Sequence, residues 1–360
     1  MSKQYNFHGT GENLVINGQL IDSNHKSTVY LSGHFRFLSF YDLGSEESPI
    51  EVLPAPDQEL VINRLTVNDC RHLKISGMDR TEITGLSSDV GFHPELPMVM
   101  LNGEHCLVEG LRVFTTENTD SWEERTWLEE ARNGIILDGE YCYARFNKVF
   151  NVRTGIEVRA KHGSAIANRV SNFFNDGMRA LADNVKLANN YIMFSKSCGS
   201  DKVHSDAIQM WNHEAPSPDE GVLSGVSVLY NYIWNRSDLP GARMMQGIGC
   251  FNGLMKDGQV VGNIVATDHY HGITLGMAKN SVIEENLVFS PRPDVRKSWI
   301  KIGTNKLKRF SSEGNRIAFN ESARFIYEPE MVKHVIANNT TSTQHLAEFQ
   351  DARWAEKAVA

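Results

Sequence analysis

The chain has no apolar run approaching the ~20 residues of a membrane-spanning helix, and its first residues, MSKQYNFHGTGENLVING, lack the apolar core of a secretory signal peptide. No cluster of Lys and Arg interleaved with aromatics occurs, and 36 basic against 44 acidic residues leave a formal charge of −8. The electrostatic footprint of a nucleic-acid binder is therefore missing. These absences predict no nucleic acid and no membrane as partner, and a cytoplasmic or virion-associated (phage tail) location. Five cysteines, an odd number, form no CxxC pair, which excludes a zinc ribbon and a complete disulfide framework. Helical spacing is missing from the apolar segments, and so is the LxxLxLxxN consensus of leucine-rich repeats.

What is present is a repeat. Asn-x-(Val/Ile) recurs as FNKV, ANRV, NNYI, YNYI, GNIV, ENLV and GNRI, with asparagines at Asn147, Asn168, Asn190, Asn231, Asn263, Asn286 and Asn315. A second signature precedes most of them: NGIIL at 133, TGIEV at 154, DGMRA at 176, DAIQM at 206, QGIGC at 246 and HGITL at 271. Short alternating segments rich in Ile, Val, Leu, Phe and Tyr, repeating about every 20 to 25 residues, predict one coil of a parallel β-helix per unit. Such a coil buries its inward side chains only by stacking on its neighbours. The asparagines are expected to ladder at a coil corner, with left-handed backbone there. Cys106 and Cys142, 36 residues apart in matching contexts, are expected to stack as buried thiols. The tail TQHLAEFQDARWAEKAVA has helical composition, so the expected organisation is a β-helix over 1–340 and a helical cap over 341–360, with Leu346, Phe349 and Trp354 covering the last coil.

Register turns the repeat into columns, because stacked strands lie about 4.8 Å apart. Alignment on the second signature puts Asn133, Thr154, Asp176, Asp206, Gln246 and His271 in one polar column. Ile135 and Leu137, Ile156 and Val158, Met178 and Ala180, Ile208 and Met210 should point inward. The intervening outward column reads Ile136, Glu157, Arg179, Gln209, Gly249, Thr274 and Lys301, and the next reads Asp138, Arg159, Leu181, Trp211, Phe251 and Gly276. Insertions at 115–132, 195–203, 235–244 and 290–298 all precede the polar column and should wall one side of it, making an elongated cleft. The acidic residues Glu123, Glu124, Glu129 and Glu130 read as a solvated helix within the first of these loops.

The coil repeat resembles the right-handed parallel β-helix of the pectin-lyase-like superfamily, over roughly residues 15 to 340. That superfamily includes polysaccharide lyases, polygalacturonase-type hydrolases, mannuronan epimerases and phage tailspike depolymerases. The order NDG, SDA, HGITLG and IKIG is similar to the polygalacturonase series, with Ser205 standing where that series has a second adjacent Asp. The resemblance implies carboxylate positions at Asp176 and Asp206, a histidine at His271 and a lysine at Lys301. Tailspike-like relatives imply a homotrimer.

Several chemistries remain open at this stage. A hydrolase would use Asp206 as acid and Asp176 as its partner, with His271 and Lys301 on substrate. Arg159, Arg179, His204, Gln209, Trp211 and His269 complete the candidate substrate-binding face. A lyase or epimerase on uronate polymers would neutralise the sugar carboxylate with Arg159, Lys161, Arg179 or Lys301 and take a proton with His204, His269 or His271. No cofactor is required by either; calcium (Ca) is the ion that the hard oxygens of Asp176 and Asp206 would accept. His204-Ser205-Asp206 and His269-Tyr270-His271 lack a third ligand at fixed spacing, so no zinc site is expected. A non-catalytic β-helix that binds glycan or builds a virion is the reading of a different class.

Overall fold

Strands of three to five residues, broken at Gly and Asn corners, build the coils. Tyr143–Arg145, Lys148–Val152 and Ile156–Val158 form one coil, and Ser164–Ile166, Arg169–Phe173 and Met178–Ala180 the next. Each strand pairs in parallel with its equivalent in the following coil: Ala144 with Ala165 and then Leu187, Val149 with Val170 and then Ile192, Ile156 with Met178 and then Ile208. The chain is a parallel β-helix with three main faces. This computed structural model describes residues 2–196, 204–239, 242–292, 294, 296–303, 310–327 and 334–342. Stacking begins with Lys3–Ile16 on Ser27–Tyr41 and continues to Thr340–Thr341 on Glu321–Ser322. Among the described residues no helix is long and apolar enough to cross a membrane.

The inward columns are as the alternation predicts. Ile135, Leu137, Ile156, Val158, Met178, Ala180, Ile208 and Met210 are all buried in one continuous core. Each fully buried aliphatic side chain contributes about 1.5–3 kcal/mol relative to exposure, and the stack has no other source of a core. Cys70 extends the expected thiol column: Cys106 Sγ donates to the Cys70 carbonyl and Cys142 Sγ to that of Gly103, both at 3.4 Å. Cys250 is buried elsewhere, and Cys198 lies outside the described residues.

The asparagine ladder is present, with two corrections. Each asparagine's Oδ1 accepts both the backbone N–H and the Nδ2 of the one before it, at 2.9 to 3.1 Å from Asn147 through Asn168, Asn190, Asn231, Asn263 and Asn286. The next member is Asn320, followed by Asn339, and not Asn315. Asn315 sits at the preceding corner, where its Oδ1 accepts the Ser281 amide. In that coil the Asn-x-Ile motif stands at the preceding corner, as Asn315-Arg316-Ile317, while the ladder corner reads Asn320-Glu321-Ser322, and strand pairing distinguishes them. The left-handed residue is also one position earlier than expected: Phe146, Ala167, Asn189, Tyr230, Glu285, Phe319 and Asn338 carry φ between 51° and 58°. The ladder asparagine starts the next strand, so its side chain is free to bond along the helix axis.

The four insertions enter at one corner, after Leu107–Phe114, Tyr191–Ser195, Tyr232–Asn235 and Leu287–Phe289. The first contains the helix Glu124–Glu130, whose Trp127 is buried against Phe174 (ring centroids 6.1 Å apart), so only part of that helix is solvated. The residues beyond Ser342, including Leu346, Phe349 and Trp354, lie outside the described residues.

The outward columns depart from expectation at six places, one of them Gly276, which is buried. Ile136, Glu157, Thr274 and Leu181 are buried. Glu157 is roofed by Arg159 and Arg179, and Thr274 by His271 and Trp299. Gly249 is covered by the Phe251 ring, which would stand 2.1 Å from a Cβ at that position. Alternation decides which way a side chain leaves the strand, while the side chains and loops above decide whether it reaches water.

Candidate functional site

The strand pairs Glu157–Arg179, Arg179–Gln209, Gln209–Gly249, Gly249–Thr274 and Thr274–Lys301 run as the sequence register predicts. Along this face four charged groups alternate. Arg159 Nη2 donates to Glu157 Oε2 at 2.7 Å, Arg179 Nη1 to Glu157 Oε1 at 3.1 Å, and Arg179 Nε to Asp176 Oδ2 at 2.6 Å. Two cations and two carboxylates balance, which leaves Asp206 as the odd carboxyl. Its backbone N–H donates to Asp176 Oδ1 at 2.9 Å, so the two aspartates are adjacent rungs.

Both are almost completely enclosed, with Asp176 2% and Asp206 1% exposed. Burial and the Asp176 charge push the Asp206 carboxyl well above the usual carboxylate range, and Arg179 only partly opposes them. Burial also pushes Asp176 up, but Arg179 pulls it back, and with its Oδ2 held by Arg179 it carries the negative charge of the pair. Asp206 Oδ1 is buried with no hydrogen-bond partner among the described residues, and so is Gln246 Oε1 on the next rung.

His269, Tyr270, His271 and Trp299 form the other end of the face. His271 Nδ1 meets Thr274 Oγ1 at 2.8 Å, Trp299 Nε1 donates to the same hydroxyl at 3.2 Å, and Phe251 and Trp299 present their rings edge-on to His271 at 5.1 and 5.2 Å. Burial lowers His269 to about 3 and His271 to about 4, with the charges of Lys301 and His204 adding to the effect on His271. Both imidazoles are neutral at pH 7. Buried Asp268 lies beside them, its Oδ2 accepting from Ser237 Oγ (2.6 Å), the Ser237 amide (2.9 Å) and Arg292 Nη2 (2.9 Å), which ties two of the wall loops together.

The structure therefore brings Asp176, Asp206, Arg179, Arg159 and Trp211 together, and separately His204, His269, His271 and Lys301. Trp211 is half-buried with the Arg179 guanidinium 5.3 Å from its ring centre, so that ring is already a cation's platform. Gln209 lies between the two groups. His204 is exposed, whereas Ser205 is buried and donates to the Phe174 carbonyl at 2.8 Å. Sequence reasoning placed Glu157 in the correct column without assigning it a role, and it missed Trp299. Glu157 had a signal, as the one carboxylate between two arginine positions; Trp299 depended on a bulge between His271 and Ile273 that no pattern announces.

The aspartate pair does not suit calcium. Asp176 uses Oδ1 on the Asp206 amide and Oδ2 on Arg179, and the arginine occupies the place of a cation that takes ~6–8 oxygens. A groove of about 500 Å³ lies on a different face, between Arg112, Lys148, Phe150, Arg169 and Phe194. Its lining carboxylate, Glu117, is tied to Arg112 at 2.7 Å, and it holds no carboxyl pair.

No family model and no curated protein sequence matches the chain. Solved structures do. The Dettilon tailspike protein is similar at 14% identity with a TM-score of 0.48, over 93% of this chain and 61% of its own, so the chain spans less than two thirds of that protein's length. The mannuronan C-5 epimerase AlgE6 A-module of Azotobacter vinelandii is similar at 8% identity and TM-score 0.49, over 89% of this chain and 92% of its own. The Siphovirus 9NA tailspike receptor binding domain is similar at 10% identity and TM-score 0.46, over 95% and 72%. By its own strand register the chain is a parallel β-helix, and these proteins are what it is similar to.

Proposed function

We propose that the chain binds an acidic polysaccharide along the face from Arg159 to Lys301 and cleaves it with the carboxyl pair. In this reading Asp206 is the proton donor, Asp176 is the ionised partner, and Arg159, Arg179, His271 and Lys301 hold the sugar chain. The observation that carries it is the divergence of two adjacent carboxyls, one compensated by Arg179 and one pushed by burial well above the usual carboxylate range, which is how acid and base roles are separated. A general acid donates its proton to the leaving glycosidic oxygen as that bond breaks, while its partner acts as nucleophile or as base for water. A uronate carboxylate competes with Asp176 for Arg179, so substrate binding would open the enclosed pair.

The mannuronan C-5 epimerase similarity, together with the neutral His269 and His271, supports a second reading in which the face acts on a uronate at C5, as lyase or epimerase. The right-handed winding, a trimer and a place on a virion belong to the same proposal and rest on the resemblance.

The test is turnover on acidic and neutral polysaccharides, with reducing ends and the ultraviolet absorbance of unsaturated uronates read in one tube. Reducing ends alone, abolished in Asp206→Asn with the fold intact, are the expected outcome. Asparagine mimics the protonated acid in shape and hydrogen bonding but has no proton to give. Absorbance rising with reducing ends would replace the hydrolase by a lyase, and full activity in Asp206→Asn would make the pair scaffold.

A further inference from the structure

Three arginines converge on one aromatic ring near the N-terminal end of the helix. Arg132, Arg36 and Arg64 place their guanidinium carbons 5.2, 5.5 and 5.8 Å from the centre of Phe92. Arg64 immediately precedes the strand Leu65–Arg71, and Arg132 stands three residues before Ile135–Leu137; Leu65 pairs with Val99, which pairs with Ile135. Leu38, two residues after Arg36, pairs in turn with Leu65, so the cluster spans three rungs, about 14 Å. Gly91, with φ 67°, ends the short helix Ser87–Val90 and turns the chain toward Phe92.

None of the three arginines forms an ion pair among the described residues, in contrast to the arginines along the candidate site. Arg132 is 0% exposed, and its Nη1 donates to the Asn63 carbonyl at 2.8 Å. Its Nε and Nη2, and Nε of Arg64, are buried donors without a hydrogen-bond partner among the described residues. Arg36 is exposed and Arg64 intermediate, so the three form a path from solvent to the buried head. Burial and the facing Arg64 lower Arg132 to about 10, a direction that an anion would reverse. Water can satisfy an N–H but does not neutralise neighbouring guanidinium groups, and a planar fork of donors matches an oxyanion.

We propose that Arg36, Arg64 and Arg132 form an oxyanion-binding pocket beside Phe92, which takes a carboxylate or sulfate group. The anion is either free and inorganic or borne on a sugar. The pocket does not depend on the reading of Asp206.

The experiment follows unfolding temperature of the full chain in sodium sulfate against sodium chloride at matched ionic strength, and separately with oligogalacturonate against neutral dextran. A saturable rise with sulfate or with oligogalacturonate supports the pocket, and the probe that acts at the lower concentration identifies the source. Arg36→Ala and Arg64→Gln, both at solvent-reachable positions, should raise the half-saturating concentration roughly tenfold each, the loss of one charge-assisted bond. Arg132→Met should abolish the response if it folds; if it does not fold, the two outer variants carry the test. A wild-type chain that responds to neither probe beyond chloride and dextran, or an unchanged half-saturation in both outer variants, overturns the proposal.

Discussion

Asp176 and Asp206 differ by one rung and by one arginine. Because Arg179 joins Asp176 to Glu157, Asp176→Asn would leave a buried guanidinium with one carboxylate and should cost about 3 kcal/mol in urea unfolding, the scale of a broken buried pair. Asp206→Asn replaces a carboxyl that burial pushes well above its ordinary range by a neutral analogue, and should leave the chain no less stable than wild type at neutral pH. Equal losses in the two variants would contradict the charge assignment. At Gly249 an added Cβ meets Phe251 Cε2 at 2.1 Å, so Gly249→Ala should swing the ring from the edge of His271 at a cost of about 1–3 kcal/mol, read by the same unfolding experiment. At this scale the sequence identified which carboxyls are neighbours. It did not identify which of them holds the arginine, because that depends on side-chain reach across rungs.

The asparagine ladder is the element that shows what stacking supplies. Asn231 accepts two bonds from Asn190 and donates to the Leu187 carbonyl at 2.9 Å, all buried. Asn231→Ala strands those groups together and should cost about 3 kcal/mol, whereas Asn339→Ala, at the half-exposed end of the ladder, should cost less than half as much. Comparable losses at both positions would mean that the ladder contributes by packing alone. The repeat made six of the seven assigned ladder positions legible; Asn315 was misplaced because Asn-x-Ile also suits the preceding corner, where the bonding partner is Ser281.

For the whole molecule the titrating groups pull in opposite directions. His269 and His271 titrate lower folded than the ordinary 6.5, so their contribution is present above pH 6.5 and is lost as pH falls toward 4 and 3. Asp206 titrates higher folded than the ordinary 3.8, so its contribution is present below that value and is lost as pH rises through its folded value. Between pH 6.5 and 4 three lowered imidazoles, His269, His271 and His334, oppose the two raised carboxyls of Asp176 and Asp206, and the unfolding midpoint should fall on acidification. His271→Gln should make that fall shallower and Asp206→Asn should make it steeper. A His271→Gln profile superimposable on wild type would remove the imidazole from the account.

The sequence by itself determined the coil, the inward columns, the strand register and the side of the helix on which the loops are inserted. All of these follow from a period-two alternation repeated at a nearly fixed interval, which has one way to bury its apolar side. Only the tertiary structure decided that Glu157 and Thr274 are roofed, that Trp211 lies against Arg179, that Asp206 has no ion pair among the described residues, and that Arg36, Arg64 and Arg132 meet at Phe92. Those outcomes rest on long side chains and inserted loops crossing between coils, and no local pattern encodes where such side chains end.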